Sequence, residues 1–408
     1  MNYIYNSNEY KNELLERFIR YVKIWTESDG AAADKGVFPS TQRQFDLAHL
    51  LEQELTAMGL QQVQVTKDCY VYGYLPGKGN VVPEPVREVP EPVEGSAPIL
   101  FLAHMDTVDE VSGKDVKPVL EESEGDTIIR SDGTTLLGGD DKAGVAAIMS
   151  MLKYLTDNPK VPHCPIEVIF SPDEETGHGM DKVPMELIKS KSAYTVDGGS
   201  EGELESECFN AWGATVEFTG KACHTGDAKA LGMINANLMA ADFASLLPRD
   251  KMPETTEGHE GFIALMETTG SIEKATINLL LRAFNIEEIE QEKALLQKNA
   301  EIVQEKYGNG AKVNVTFRQQ YLNMKGELDK HHEVLSRLQK AYEAAGVKII
   351  EKPIRGGTDG SRLTEMGIPT PNIFTGGHEF HSRNEWVSLN SMAKAADVLI
   401  NIVAILDH

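Results

Sequence analysis

The chain is poor in cysteine: Cys69, Cys164, Cys208 and Cys223 are scattered with no close pair. That spacing offers neither a disulfide framework nor a Cys-x-x-Cys metal knuckle, and it suits a reducing compartment. Positive charge is also scarce, with 39 Lys and Arg against 63 Asp and Glu and a net charge of −24. Such a surface repels nucleic acid and anionic membranes, so neither is an expected partner. Long apolar runs are missing too. Val398 to Leu406, interrupted by Asn401, falls far short of the ~20 residues of a membrane span and reads as a core helix. The opening Met1-Asn2-Tyr3-Ile4-Tyr5-Asn6 has neither the basic stretch nor the apolar core of a secretory signal. These absences leave a cytoplasmic globular protein as the expectation.

At 408 residues and 41% hydrophobic content, the chain exceeds one ordinary core and predicts two domains. Leu14, Phe18, Val22 and Trp25 recur at helical spacing, and Ser40 or Thr41 is expected to cap a second helix ending at Gly59. Gln62–Val65 and Tyr70–Leu75 predict paired strands. Residues 77–97 carry Pro-Glu-Pro-Val twice, at 83–86 and 90–93, and read as an extended surface loop without chemistry. After Phe209 the character changes to a β-α-β-β-α-β order, that of a ferredoxin-like sandwich, placed at 209–320. An α/β pattern occupies 1–208 and resumes over 321–408, so the α+β domain is an insertion.

Polar residues gather where apolar strands end. Ile166, Val168 and Phe170 lead through Pro172 to Asp173-Glu174-Glu175, three adjacent acids that suit a solvated turn or a cation. Ile99-Leu100-Phe101-Leu102 is apolar on both faces and runs into Ala103-His104-Met105-Asp106. His104 and Asp106 project to one side of an extended chain, as a ligand and its orienting acid do. Leu136-Leu137-Gly138-Gly139-Asp140-Asp141 opens a helix, where acids serve equally as a charged cap. Another apolar strand ends in Asp197-Gly198-Gly199, and Thr375-Gly376-Gly377-His378-Glu379-Phe380-His381 follows a last one. In open α/β sheets that strand edge is where ligands bind. The segment Arg355-Gly356-Gly357-Thr358-Asp359-Gly360 reads as flexible and polar. Taken together, His104, Asp140, Glu175, Asp197 and His381 form an N/O donor set without sulfur. It suits paired Zn²⁺, or Mn²⁺ and Co²⁺, with Asp140 as the natural bridge.

In this order the motifs resemble those of the dizinc metallopeptidases related to aminoacylase and glutamate carboxypeptidase, closest in wording to the aminotripeptidases. The motifs are His104-x-Asp106, Gly138-Gly139-Asp140-Asp141-Lys142-Ala143-Gly144, Asp173-Glu174-Glu175-x-Gly177, Tyr194 to Gly199 and Arg355 to Gly360. The resemblance runs from about Leu14 to the C-terminus. It implies a catalytic domain with a mixed sheet flanked by helices, and an inserted domain acting as lid or dimerisation surface. It further implies that His104 and Asp197 hold one zinc, Glu175 and His381 the other, and that Asp140 bridges them through a cis Asp140–Asp141 peptide. Asp106 would orient His104. Glu174 would be the general base, taking a proton from the water between the metals and passing it to the leaving amine. His224, in the inserted domain, would stabilise the oxyanion, and Arg282 or Arg355 would bind a peptide carboxylate. The implied activity is removal of the N-terminal residue from tripeptides, with short peptides as partners and either a monomer or a homodimer as the assembly. A rival on the same metals is an amidohydrolase for N-acyl amino acids or dipeptides. A rival of another kind is an inactive peptide-binding module.

Overall fold

A computed structural model describes residues 2–79 and 97–404, and in it the chain forms two compact units. The first comprises Met1–Ser206, Met324–Lys352 and Thr358–His408; the second comprises Glu207–Asn323 with Pro353–Gly357. The division expected from sequence fell at 208/209 and 320/321. The short return of 353–357 to the second unit was not anticipated. The repeated Pro-Glu-Pro-Val stretch, together with Ile405 and Leu406, lies outside the described residues.

The first unit is built on an eight-stranded sheet. Its order is Gln61–Val65, Val71–Leu75, Ile166–Ser171, Ile99–His104, Ala193–Gly198, Asn372–Phe374, Glu203–Glu205, Ile350–Glu351. Four central strands run parallel, so their C-terminal ends share one edge. Ile99–His104 is buried throughout, because its two faces pack into different apolar clusters. Ile99, Phe101 and Ala103 join one cluster; Leu100 and Leu102 join the other. That two-sided cover is why the run is apolar rather than alternating. Full burial of each Ile, Leu or Phe side chain here contributes about 1.5–3 kcal/mol, before the entropy cost of ordering it. The lone acid in the neighbouring strand, Glu167, is satisfied there by Tyr72 Oη, the Ser190 hydroxyl and the backbone N–H groups of Lys189 and Ser190.

The helix Gly139–Asp157 packs beneath this edge and is almost wholly buried. A Cβ at Gly144 would lie 1.8 Å from the Val196 carbonyl oxygen, so glycine lets the helix start against that strand. Helices Asn8–Val22 and Gln44–Ala57 cover the sheet as the periodicity predicts, and Gly59 (φ +82°) turns the chain after the second. The expected cap on that second helix is not made. Its N-cap is Arg43, without a side-chain hydrogen bond, and Ser40 is used elsewhere. A smaller sheet, unforeseen from the sequence, joins Gly377–His378, Trp386–Ser388, Asp126–Arg130 and Val119–Ser123.

In the second unit the strands Asn210–Thr219, Phe262–Gly270, Lys274–Ala283 and Lys312–Tyr321 form an antiparallel sheet. In order of appearance they sit 2-3-1-4, with helices Ala236–Ser245 and Ile286–Tyr307 between them, which is the ferredoxin-like arrangement. Trp212, Val216, Phe218, Phe243, Ile277 and Leu296 make its core. Among the described residues, no helix of either unit is long and apolar enough to cross a membrane.

Candidate metal centre

The parallel register sets the site. His104 lies level with Ser171 on the adjacent strand, and the chain beyond Ser171 turns immediately into the acidic stretch. Asp173 adopts a left-handed conformation (φ 56°) and Glu174–Thr176 forms a single tight turn. The three acids do not share a solvated tip. Asp173 is fully buried and points back, accepting the Ser40 N–H at 2.6 Å, the Ser40 hydroxyl at 2.5 Å and the Gln44 side-chain amide at 2.7 Å. Gln44 Oε1 in turn accepts the Asp173 N–H. One carboxylate is thus satisfied by hydrogen bonds, which favour its charged form and anchor the turn bearing the other two.

Five donors converge at the sheet edge. His104, Asp140 and Asp197 each offer a ligand atom, all within 4.8 Å of one another; so do Asp140, Glu175 and His381. Asp140 is shared. Its Oδ1 lies 3.0 Å from His104 Nε2, and its Oδ2 lies 3.2 Å from His381 Nε2. Asp197 Oδ1 is 3.6 Å from His104 Nε2, and Glu175 Oε2 is 3.2 Å from His381 Nε2. The Asp140–Asp141 peptide is cis. Asp141 faces inward, accepting the backbone N–H groups of His104 and Gly144. His378 is apart from the set, stacked on Trp386 at 3.8 Å between ring centres.

These donors fit a pair of divalent cations on the chemistry of the set. Among the described residues, two imidazole nitrogens and three carboxylates converge without sulfur, one carboxylate spans both groups, and Glu175 Oε1 is buried with no hydrogen-bond partner. Burial, then the Asp140 charge, pushes Glu175 up to about 8, and burial pushes Asp197 up to about 6. Burial opposes the Asp140 carboxylate too, but hydrogen bonds from His104 and His381 hold it below the usual range. His104 is held well above its ordinary value: burial works against the cation, and the Asp197 charge overrides it. Burial and the charges of Asp197, Asp359 and Glu175 hold Glu174 high, against the pull of His104.

Asp106 is buried and differs in detail from its expected role. His104 Nδ1 lies 3.1 Å from the Asp106 backbone carbonyl oxygen and 3.4 Å from its carboxylate. The two carboxylate oxygens chiefly accept the Glu174 and Glu175 N–H groups, at 3.0 and 3.2 Å.

The remaining sequence candidates lie in the second unit. His224 is exposed, with Nδ1 accepting the Gly226 N–H at 3.2 Å. Arg282 is buried and donates to the Trp212 and Leu281 carbonyls, over the Tyr321 ring. Arg355 donates to the Gly258 and Glu260 carbonyls and to Thr256 Oγ1, and lies over Phe209 and Phe262. Both guanidiniums therefore make structural contacts inside their own unit. Thr358 and Asp359, expected in a flexible segment, are instead buried at the start of the helix Asp359–Glu365, and Asp359 accepts the Ser171 hydroxyl at 2.5 Å.

Several supporting residues carry no sequence signal beyond being polar. Asn372 Oδ1 accepts the Asp197 N–H, while its amide donates to the buried Glu205 at 2.6 Å. Glu385, four residues past His381, reaches the loop that carries Asp140. Only proximity to a ligand in sequence hints at Glu385; nothing of the kind hints at Glu205.

The sequence profile described as peptidase family M20/M25/M40 matches residues 100–404. Peptidase T of Clostridium perfringens is 41% identical over 415 aligned residues, covering 96% of this chain and 98% of that protein. A tripeptidase structure from Staphylococcus aureus superposes with a TM-score of 0.77 at 22% identity, covering 97% of this chain and 98% of the other. A dinuclear metal-binding M20 peptidase from Bacillus subtilis gives 0.67 at 14% identity, over 98% and 99%. The last two show a shared fold, and the sequence matches go further: the chain belongs to peptidase family M20/M25/M40.

Proposed function

We propose that this peptidase is a two-metal aminopeptidase that releases the N-terminal residue of tripeptides. The observation that carries the reading is the shared carboxylate of Asp140, with His104 and Asp197 gathered on one oxygen's side and Glu175 and His381 on the other's. His104 and Asp197 would hold one cation, Glu175 and His381 the second, with Asp140 common to both. Zinc suits these donors, and Mn²⁺ or Co²⁺ suits them nearly as well. Cations bound there would polarise the scissile carbonyl and acidify a water molecule.

The chain's own part is proton handling and alignment. Glu174 follows a strand end, and its backbone is tied to Asp106, so the turn that bears it is anchored at the edge where the donors gather. Its raised proton affinity suits a base that accepts a proton from the attacking water and returns it to the departing amine nitrogen. Substrate length comes into the reading from the relatives named Peptidase T and from the tripeptidase whose fold is shared. The oxyanion role of His224, the carboxylate roles of Arg282 or Arg355, and a lid or dimerisation role for the inserted unit come from the resemblance. A reducing cytoplasmic setting fits the cysteines, which form no disulfide among the described residues.

The test is hydrolysis of Ala-Ala-Ala, Ala-Ala, tetra-alanine and acetyl-Ala by metal-stripped protein given back zinc. The reading predicts the tripeptide as the preferred substrate and no turnover of acetyl-Ala. Preference for acetyl-Ala or Ala-Ala would transfer the site to the amidohydrolase or dipeptidase reading. Zinc uptake without turnover of any of them would leave a binding module.

A further inference from the structure

The geometry points to Glu385 as a positioning residue for the metal centre, one that clamps the loop carrying Asp140 to the turn carrying His381. This inference rests on the two-metal reading.

Glu385 is 1% exposed, a burial that an acid tolerates only with partners. Its partners are backbone donors on a loop far away in sequence. Oε2 accepts the Leu137 N–H at 2.8 Å and the Gly138 N–H at 2.7 Å, and Oε1 accepts the Asp140 N–H at 2.9 Å. Leu137 and Gly138 precede the helix that begins at Gly139, so their N–H groups have no partner within that helix. Gly138 takes a left-handed conformation (φ +81°). A Cβ on Gly139 would lie 2.6 Å from Val387 and 3.0 Å from Glu385 Oε1, so glycine there lets the two segments meet.

The consequence is mechanical. His381 reaches the Asp140 side chain at Oδ2, and Glu385, four residues further along, grips the Asp140 backbone. Asp140 is the ligand common to both donor groups, so holding its backbone orients it toward both at once. Just beyond Glu385, Trp386–Ser388 pairs with Ile128–Arg130, which fixes the clamp to a sheet rather than to a free loop. Mutation of outer partners of this kind typically costs about 10- to 100-fold in metal affinity or activity.

The test compares wild type with Glu385→Gln, whose amide nitrogen faces donors that need an acceptor. Zinc affinity is measured by competition with a chromogenic chelator, alongside the melting curve of the metal-stripped protein. The expected result is zinc affinity weakened by about 10- to 100-fold for both ions. Turnover should recover toward wild type at saturating zinc, and KM for tripeptide should stay unchanged. Equal zinc affinity in the two proteins would overturn the inference while leaving the two-metal reading intact. A wild-type chain that takes up no pair of zinc ions would overturn the reading itself. Should the variant not fold, Gly139→Ala presses on the same clamp from the other side and should weaken zinc in the same way. Hydrogen exchange of stripped wild type needs no variant: Leu137, Gly138 and Asp140 amides protected without metal support the clamp, and rapid exchange at all three overturns it.

Discussion

The Asp106 carboxylate accepts the Glu174 backbone N–H at 3.0 Å, across 68 residues of sequence. Its other oxygen takes the Glu175 N–H at 3.2 Å. One buried acid therefore holds the backbone of the proposed base and of a proposed ligand, while its main-chain carbonyl faces His104 Nδ1.

This doubles the expected damage from Asp106→Asn. An asparagine keeps one acceptor oxygen and sets an amide donor against the second N–H, leaving a buried donor unpaired at a cost of about 1–3 kcal/mol. Turnover of tripeptide and zinc affinity should both fall, each by about 10- to 100-fold. Steady-state kinetics at saturating zinc separates them. Full recovery of turnover with added zinc would mean that Asp106 serves the metal alone and not the turn bearing Glu174.

Glu174→Gln removes the proton acceptor and keeps the shape. Metal content should remain that of wild type, because Glu174 is outside both donor groups. Turnover should drop by about 10²–10⁴-fold or more, the contribution of a positioned acid–base group. Metal analysis of the same sample used for kinetics makes the comparison direct. A glutamine variant that hydrolyses tripeptide normally would remove Glu174 from the role of base.

A pH effect on stability is expected far from the metal centre. Asp397, buried on the C-terminal helix, accepts the backbone N–H groups of Tyr3, Ile4 and Tyr5. Burial pushes its carboxyl from the ordinary 3.8 up to about 6, against the pull of those donors. With the folded value above the unfolded one, the folded chain holds the proton more tightly. The associated stability is full below 3.8 and is lost as pH rises through about 6. The difference in unfolding free energy between wild type and Asp397→Asn should therefore change between those values and be flat above pH 7. A difference flat across the whole range would contradict the assignment.

Much of this was legible along the chain, and the reason is local. Ile99–Leu102 and Ile166–Phe170 announce buried strands because both faces are covered, and the period of two carries His104 to the sheet edge. Acids following such strands stand out because the interior rejects them. The second unit was readable for the same reason, its four strands and two main helices alternating in recognisable periods. What stayed hidden was the set of long-range hydrogen bonds that stiffen the site. Glu385 meets Asp140 across 245 residues, and Ser40 meets Asp173 across 133. Glu385 binds backbone N–H groups, which select no side chain in the partner, and the Ser40 hydroxyl that meets Asp173 is a chemistry that many serines share. The chemistry of Ser40 suits a helix cap, but its tertiary contact with Asp173 takes precedence. The contacts of Arg355 with the carbonyls of Gly258 and Glu260 were hidden for the same reason.

The central claim is that two cations share Asp140. Anomalous diffraction from crystals of the zinc-loaded protein, collected on both sides of the zinc edge, tests it most directly. The account predicts two peaks about 3.5–4 Å apart, one against His104 and Asp197, the other against Glu175 and His381, with Asp140 touching both. A single peak, or two peaks that do not have Asp140 in common, would contradict it.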